Sequence, residues 1–466
     1  MSWLRVRHAS GICDYNEFHK SVVKLNPQFQ YALSVALITN VGQHLYWEIM
    51  MSHVTRFGTL GLLALLALSI QGKARADDGP SIKTVFVIAM ENHNWTQPAN
   101  QFSGPIQQIF QNPNAPFINS LVNGTAANIS RQVAYATNYH NVLATASGNN
   151  PHIHPSEPNY IWAEAGTNFG VLNDADPFVP QTPNNLVNNQ DNQLHLVRLL
   201  TDAGKTWRSY QEDIDLTMVG GQLTNVVLPQ DQWTVPLDSF SGNFVCEDDK
   251  PLASCVNQFN GSTQFNYAAK HNPQVFFTDS NGGDDTTPSN PLSHNYAPLQ
   301  QLFVDLANNS VADYNWITPN QFNDMHTALS GGFMGLTGDA AKIRQGDHFL
   351  SIVVPAIMAS RAYQDRGAII IWWDETEQDG VANDNADDFN HTIGEIVISP
   401  LAHPNVNGKP FASSVLLSHS SDLRTMQKIF HVTRPLLLGD AVDAIDLSDL
   451  YAKGAIPRDN DNKKSF

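Results

Sequence analysis

The stretch "VFVIAMENHNW", Val85–Trp95, changes character midway. Apolar residues run unbroken from Val85 to Met90, and Glu91, Asn92 and His93 follow at once. A short apolar run without alternation is the pattern of a strand buried on both faces, as in a parallel sheet covered by helices. Ligands of such sheets sit beyond the carboxyl ends of the strands. A carboxylate one residue past the strand is therefore either a turn cap or part of a site.

The same pattern recurs. "GAIIIWWDETEQDG" passes from Ala368–Trp373 to Asp374 and Glu375. "DYNWITPNQFNDMH" passes from Trp316 and Ile317 to Asn320, Asp324 and His326, and "QVFFTDSNGG" from Phe277 to Asp279. One acidic strand end is explained by a cap, whereas several point to one shared cleft. Carboxylates gathered away from water repel each other and need a proton or a cation between them. No Lys or Arg lies inside these motifs, so a divalent metal is the economical answer.

Between the strand-like runs lie "PFINSLVNG", "DNQLHLVRLLTDAGK", "APLQQLFVDLANN", "HFLSIVVPAIMASRAYQ" and "SSDLRTMQKIFH", which carry apolar residues at helical spacing. Several open on Asp, Ser or Asn, the residues that cap helices. Strands alternating with helices predict an α/β fold with a mainly parallel central sheet and helices on both faces.

The 466 residues carry a formal charge of −18. That acidic balance argues against nucleic acid and anionic membrane surfaces as partners. From Met51, a short basic region with His53 and Arg56 precedes an apolar stretch, Phe57–Ile70, and the small-x-small sequence Ala74-Arg75-Ala76. This is the layout of a secretory signal peptide over residues 51–76, with an uncleaved anchor as the alternative. It predicts a secreted or periplasmic protein without a stable membrane anchor, a start at Met51, and residues 1–50 as a mis-assigned extension. Residues 77–466 are expected to form a single domain, with an insertion at about 220–261. In that insertion Cys246 and Cys255 form an even pair, which in an exported chain suggests a disulfide, two buried thiols being the alternative. Nothing in the sequence bears on oligomeric state.

A nucleophile is less conspicuous. There is no Gly-x-Ser-x-Gly and no His-Glu-x-x-His, which removes the α/β-hydrolase elbow and the zincin helix. "NNPHIHPSEPNYIWAEAG" places Ser156 between Pro155 and Pro158, ahead of an apolar run that could open a helix. A hydroxyl at a helix N-terminus suits a phosphate, and a plain cap is the competing reading.

Five blocks in order, "VIAMENHNW", "HPSEPNYI", "WITPNQFNDMH", "IIIWWDE" and "NHTIGEIVISP", resemble the phosphoesterase family. That family includes secreted acid phosphatases and bacterial phospholipases C, and belongs to the alkaline phosphatase superfamily. The resemblance spans about Val85 to Phe430. It implies an alkaline-phosphatase-like three-layer sandwich and the hydrolysis of phosphate esters, soluble or on phospholipid headgroups. It further implies Ser156 as nucleophile and Asn159 as a donor to the phosphoryl oxygens. Glu91, Asn92, Asp374, Glu375 and His391 match the family's metal positions, and Asp324 and His326 its ligand or phosphate-contact block. His140, His154 and His294 are further candidates for phosphate binding. The implied metal is zinc, calcium, magnesium or manganese.

Two features depart from the pattern. Glu157 follows Ser156 where many relatives carry an apolar residue, and a carboxylate there opposes doubly charged substrates unless it turns outward. The stretch between Glu375 and His391 is unusually acidic, as either a solvated loop or a further cation site. Two other functions stay open. A sulfatase on the same fold would share Ser156-x-Pro158, but Tyr160 stands where its Arg is expected. An exported protein that binds phosphate esters without turnover would not need Ser156, Glu91, Asp374 and His391 together.

Overall fold

Seven consecutive residues, Thr84–Met90, form strand β1 at the centre of the protein, and all but the first are buried. The computed structural model describes residues 81–96, 108–126, 128–141, 154–246, 254–376 and 392–458. The expected extension and signal peptide, and His391, lie outside them. The other strands of the main sheet are β2 (Val133–Ala136), β3 (Trp207–Gln211), β4 (Tyr296–Pro298), β5 (Tyr314–Thr318), β6 (Gly367–Trp373), β7 (Glu395–Ile398) and β8 (Phe411–Ser413). Their order is β4-β3-β5-β1-β6-β7-β2-β8. Five of the seven pairings are parallel, and β7 alone runs against both of its neighbours. The sheet is thus the mainly parallel one that the apolar runs predict.

Six helices of seven residues or more flank it: α1 (Pro116–Asn123), α2 (Ser156–Ala165), α3 (Leu196–Asp202), α4 (Gln300–Asn308), α5 (Gly338–Ala359) and α6 (His419–Ile429). Helices α1, α4 and α5 pack together, as do α2, α3 and α6. The sheet lies between the two groups, in a three-layer sandwich. This explains why β1 and β6 read as continuous apolar runs: both of their faces are covered, and β6 is buried from end to end. Burying each Ile or Val there contributes about 1.5–3 kcal/mol.

Register fixes what emerges from the sheet. Met90 lies opposite Trp373 and Ile88 opposite Ile317. The next residues, Glu91 and Asp374, therefore leave adjacent strands at the same level, and the turn after β5 delivers Asp324 to the same end.

One expected strand is absent. "QVFFTDSNGG" forms a 3-10 turn, Pro273–Phe276, and a helical turn, Thr278–Asn281. Pro273 starts the first, and Gly282 at φ +80° ends the second, a backbone conformation that favours glycine. Asp279 lies away from the shared cleft, paired with His195 and Arg198. The region around 220–261 contributes two antiparallel ribbons, Leu216–Val219 with Gln222–Val227 and Phe240–Asn243 with Gln264–Tyr267. Cys246 and Cys255 are joined by a disulfide.

Fully buried His195, just ahead of α3, joins three segments. Its Nδ1 lies 3.0 Å from Glu164 Oε1 in the last turn of α2, and its Nε2 2.6 Å from Asp279 Oδ1. Burial alone would lower its pKa, but the bonds to Asp279 and Glu164 override this and raise it. A His bound more tightly to its proton when folded stabilises most below its unfolded pKa, and the contribution fades as pH rises through the folded value. His195→Leu is expected to cost about 3 kcal/mol by removing the charge partner of buried Glu164, which keeps only the Val197 N–H and the Gln274 amide. The melting-temperature gap between wild type and variant should narrow from pH 6 to pH 9; a gap that widens would contradict the charged pairing.

Candidate active site and metal centre

Ser156 is the first residue of α2, after Pro155 in extended backbone, and it is buried. Its Oγ lies 3.1 Å from Glu91 Oε2 and 3.1 Å from Glu375 Oε1. Asn159, one helical turn on, donates from Nδ2 to Glu375 Oε2 at 3.1 Å, and His154 Nδ1 lies 2.9 Å from that oxygen. Asn92, in the left-handed region at φ 33°, donates its backbone N–H to Asp374 Oδ1 at 3.2 Å. The structure therefore gathers Glu91, Asn92, His154, Ser156, Asn159, Asp374 and Glu375 from two strand ends and one helix N-terminus.

Asp324 joins through a residue that the strand-end pattern does not reveal. His271 sits between two carboxylates, its Nε2 3.0 Å from Glu91 Oε1 and its Nδ1 3.2 Å from Asp324 Oδ2. These are ion-pair distances without an aligned N–H hydrogen bond. Tyr160 stacks on the ring at 5.0 Å, and His326 lies 5.8 Å from it on another side. His326 takes its place from Asp324, whose Oδ1 accepts the His326 N–H at 2.7 Å. His140 is buried in a two-stranded ribbon with Ser418, its Nε2 3.0 Å from Asn138 Oδ1. His294 is exposed in the turn before β4, level with the first residue of β3 rather than beyond the strand ends.

The electrostatics sort these groups. Burial raises the Asp374 carboxyl well above its usual range, and Glu91 and Glu375 add to it. Burial also raises Glu375, partly offset by His154. Burial opposes ionisation of Glu91 too, but there the charge on His271 wins and holds it below the usual range. His271 itself, lowered by burial but raised more by Glu91 and Asp324, reaches about 9. Burial takes His326 down to about 4. Lys270 pairs with Asp174 at 2.9 Å. Burial and then Asp174 and Glu91 act on it in opposite senses, and the net effect is a raised pKa.

Glu157 turns inward. It is buried, with Oε1 accepting from Asn188 Nδ2 at 2.8 Å. Burial and the neighbouring Asp174 raise its carboxyl well above the usual range, which weakens the repulsion that a carboxylate beside Ser156 would exert on anionic substrates.

Glu91, Asp374 and Glu375 each offer a buried oxygen, all within 4.8 Å of one another. Asn92 Oδ1 and Asp374 Oδ2 are buried without a hydrogen-bond donor among the described residues, and Glu91 Oε1 has the ion-pair contact with His271 but no aligned donor. Buried carboxylate oxygens gathered in this way fit a divalent cation.

Residues 73–433 match the profile of the Phosphoesterase family. Over 232 residues the chain is 26% identical to a protein named probable acid phosphatase from Kluyveromyces lactis, covering 49% of this chain and 40% of that one. Over 174 residues it is 26% identical to a protein named acid phosphatase from Aspergillus fumigatus, covering 37% and 28%. The chain thus matches less than half the length of either relative. A solved structure of an alkaline phosphatase superfamily protein from Vibrio parahaemolyticus superposes with a TM-score of 0.39 at 10% identity, over 78% of this chain and 70% of that one.

Manganese or calcium at about 100 times its dissociation constant should stabilise the protein by about 2.7 kcal/mol, since the unfolded chain has no such cluster. In Asp374→Asn the rise in melting temperature with added ion should largely vanish. An unchanged rise would make Asp374 a turn residue only.

Proposed function

The chain belongs to the phosphoesterase family, and we propose that it is an exported, metal-dependent phosphoester hydrolase with Ser156 as its nucleophile. The contact of Ser156 Oγ with both Glu91 and Glu375 carries this reading. A hydroxyl has one proton, so only one of the two carboxylates can accept it at a time. The other faces a lone pair and needs a proton or a cation to remain there. A divalent ion held by Glu91, Asn92, Asp374 and Glu375 would neutralise phosphoryl charge and favour ionisation of the hydroxyl. The described donors are all oxygens, which suits calcium, magnesium or manganese.

The remaining chemistry belongs to the side chains. At the start of α2 the Glu157 N–H is taken by Asp174 and Pro158 has none, which leaves the Ser156 N–H and the side-chain amide of Asn159 to meet an anionic phosphoryl group. Ser156 gives its proton to Glu91 or Glu375, and its Oγ bonds to phosphorus as the bond from phosphorus to the ester oxygen breaks. His271, protonated up to about pH 9, is the candidate donor of a proton to the leaving alkoxide. The water that later splits the phosphoserine returns a proton to His271, and the carboxylate that took the Ser156 proton gives it back to Oγ. The names of the two relatives favour an acid phosphatase type over a phospholipase C, with a phosphate monoester as substrate. Residues 77–466 work as one phosphoesterase domain, exported after loss of 51–76.

Turnover of phenyl phosphate by purified Ser156→Ala, with its ion content checked, tests the nucleophile. The variant should keep the wild-type melting temperature and lose about a thousandfold or more in kcat. Each tenfold loss corresponds to about 1.4 kcal/mol of barrier. Turnover near the wild-type rate would remove Ser156 as nucleophile. No turnover by either protein, with ion uptake intact, would favour a binding protein. For export, N-terminal sequencing of secreted protein should begin at Asp77; finding residues 1–50 there would overturn the export reading.

A further inference from the structure

Against the backbone of the acidic cluster lies a buried histidine that the proposed reaction does not use. His419 is the first residue of α6, fully buried, after an N-cap at Ser418. Its Nε2 lies 2.6 Å from the backbone oxygen of Asp374. Its Nδ1 receives the indole N–H of Trp372 at 2.9 Å, and the Tyr139 hydroxyl lies 3.0 Å from the same nitrogen.

These contacts leave the ring one state. An indole N–H can only donate, so Nδ1 must accept and carries no proton. The ring proton then sits on Nε2, where it meets a carbonyl that can only accept. Trp372 thus fixes the tautomer and aims the donor at Asp374. Tyr139 donates its hydroxyl proton to Asp422 Oδ2 at 2.5 Å, one turn along α6, and so packs against the ring without giving Nδ1 a second proton. The remaining contacts on the Asp374–Glu375 turn come from the site itself: the Asn92 N–H, Ser156, His154 and Asn159. Asp374 also donates its N–H to the Met90 carbonyl at 3.2 Å. Among the described residues, His419 is the side chain that bonds the backbone of this turn rather than its carboxylates.

We propose that His419 is a positioning residue: its Nε2–H grips the Asp374 carbonyl and sets the direction in which the Asp374 and Glu375 carboxylates leave β6. This rests on the preceding reading that the two carboxylates hold a cation. Outer partners of that kind, when removed, typically lower metal affinity about 10- to 100-fold.

The test uses three variants of the full protein. In His419→Gln the amide nitrogen falls where Nε2 was and keeps the donor to Asp374. In His419→Asn the side chain can still accept from Trp372 but is too short to reach that carbonyl. His419→Leu keeps bulk and loses both bonds. Manganese affinity is measured by equilibrium titration, alongside melting temperature in chelator. The expected order of affinity is wild type, then Gln within a few-fold, then Asn and Leu weaker by about 10- to 100-fold. Melting temperatures in chelator should not follow that order, because Asn keeps the buried Trp372 partner that Leu lacks. Equal affinities in Gln and Asn, or affinities that merely track melting temperature, would overturn the positioning role while leaving the cation site intact. If the wild type binds no manganese, calcium or zinc, the reading of the site fails. The same comparison then passes to kcat on phenyl phosphate, where Gln above Asn sustains the role and Gln equal to Asn ends it. A wild type with neither binding nor turnover overturns both.

Discussion

Glu91, Asp374 and Glu375 lie buried with oxygens within 4.8 Å of one another, an arrangement that repulsion alone would break. The rest of the molecule is organised around making it tolerable. Parallel pairing of β1 with β6 sets Glu91 and Asp374 level, and the sheet core behind them, apolar from end to end, prevents either from retreating. On one flank His271 supplies positive charge to Glu91, and on the other His154 faces Glu375. What these cannot neutralise defines the chemistry: oxygens without donors, a hydroxyl between two acceptors, and a helix N-terminus aimed at the same place.

The aromatic packing around His271 serves the same end. Tyr160 stacks on its ring and meets Trp316 and Trp372 edge-on. The imidazole is thereby fixed between Glu91 and Asp324 by shape as well as by charge, since its own hydrogen bonds are poorly aligned. Trp372 takes part twice, packing on Tyr160 and bonding His419. One side chain thus links the helix that carries Ser156 to the histidine bonded to the Asp374 carbonyl.

Strands β1 and β6 were legible because burial on both faces leaves a contiguous apolar run, and their acidic ends were legible because the change is abrupt. Helices α1, α3, α4 and α6 showed through periodicity, though α5 begins well before the segment that periodicity marks. His271 was not legible. It ends a 3-10 turn in "AAKHNPQ", with no strand or helix pattern around it, and only tertiary packing brings it to Glu91. The turn pair misread as a strand, Pro273–Asn281, shows the opposite failure: four β-favouring letters decided nothing against Pro273 and Gly282. Nor could spacing tell whether Glu157 turns inward; Asn188, thirty-one positions away, decides that.

The reversed direction of β7 has a consequence for how this chain can vary. Its amino end lies beside the carboxyl end of β6, with Glu395 opposite Trp372. Thr376 and Thr392, the described residues on either side of this gap in sequence, therefore stand near the same rim of the sheet. Between two points so placed, a flexible chain can change in length at small cost, since doubling it costs only about 0.6 kcal/mol in closure entropy. The acidic sequence between Glu375 and Thr392 is thus free to vary in length while the strands that carry the carboxylates keep their register.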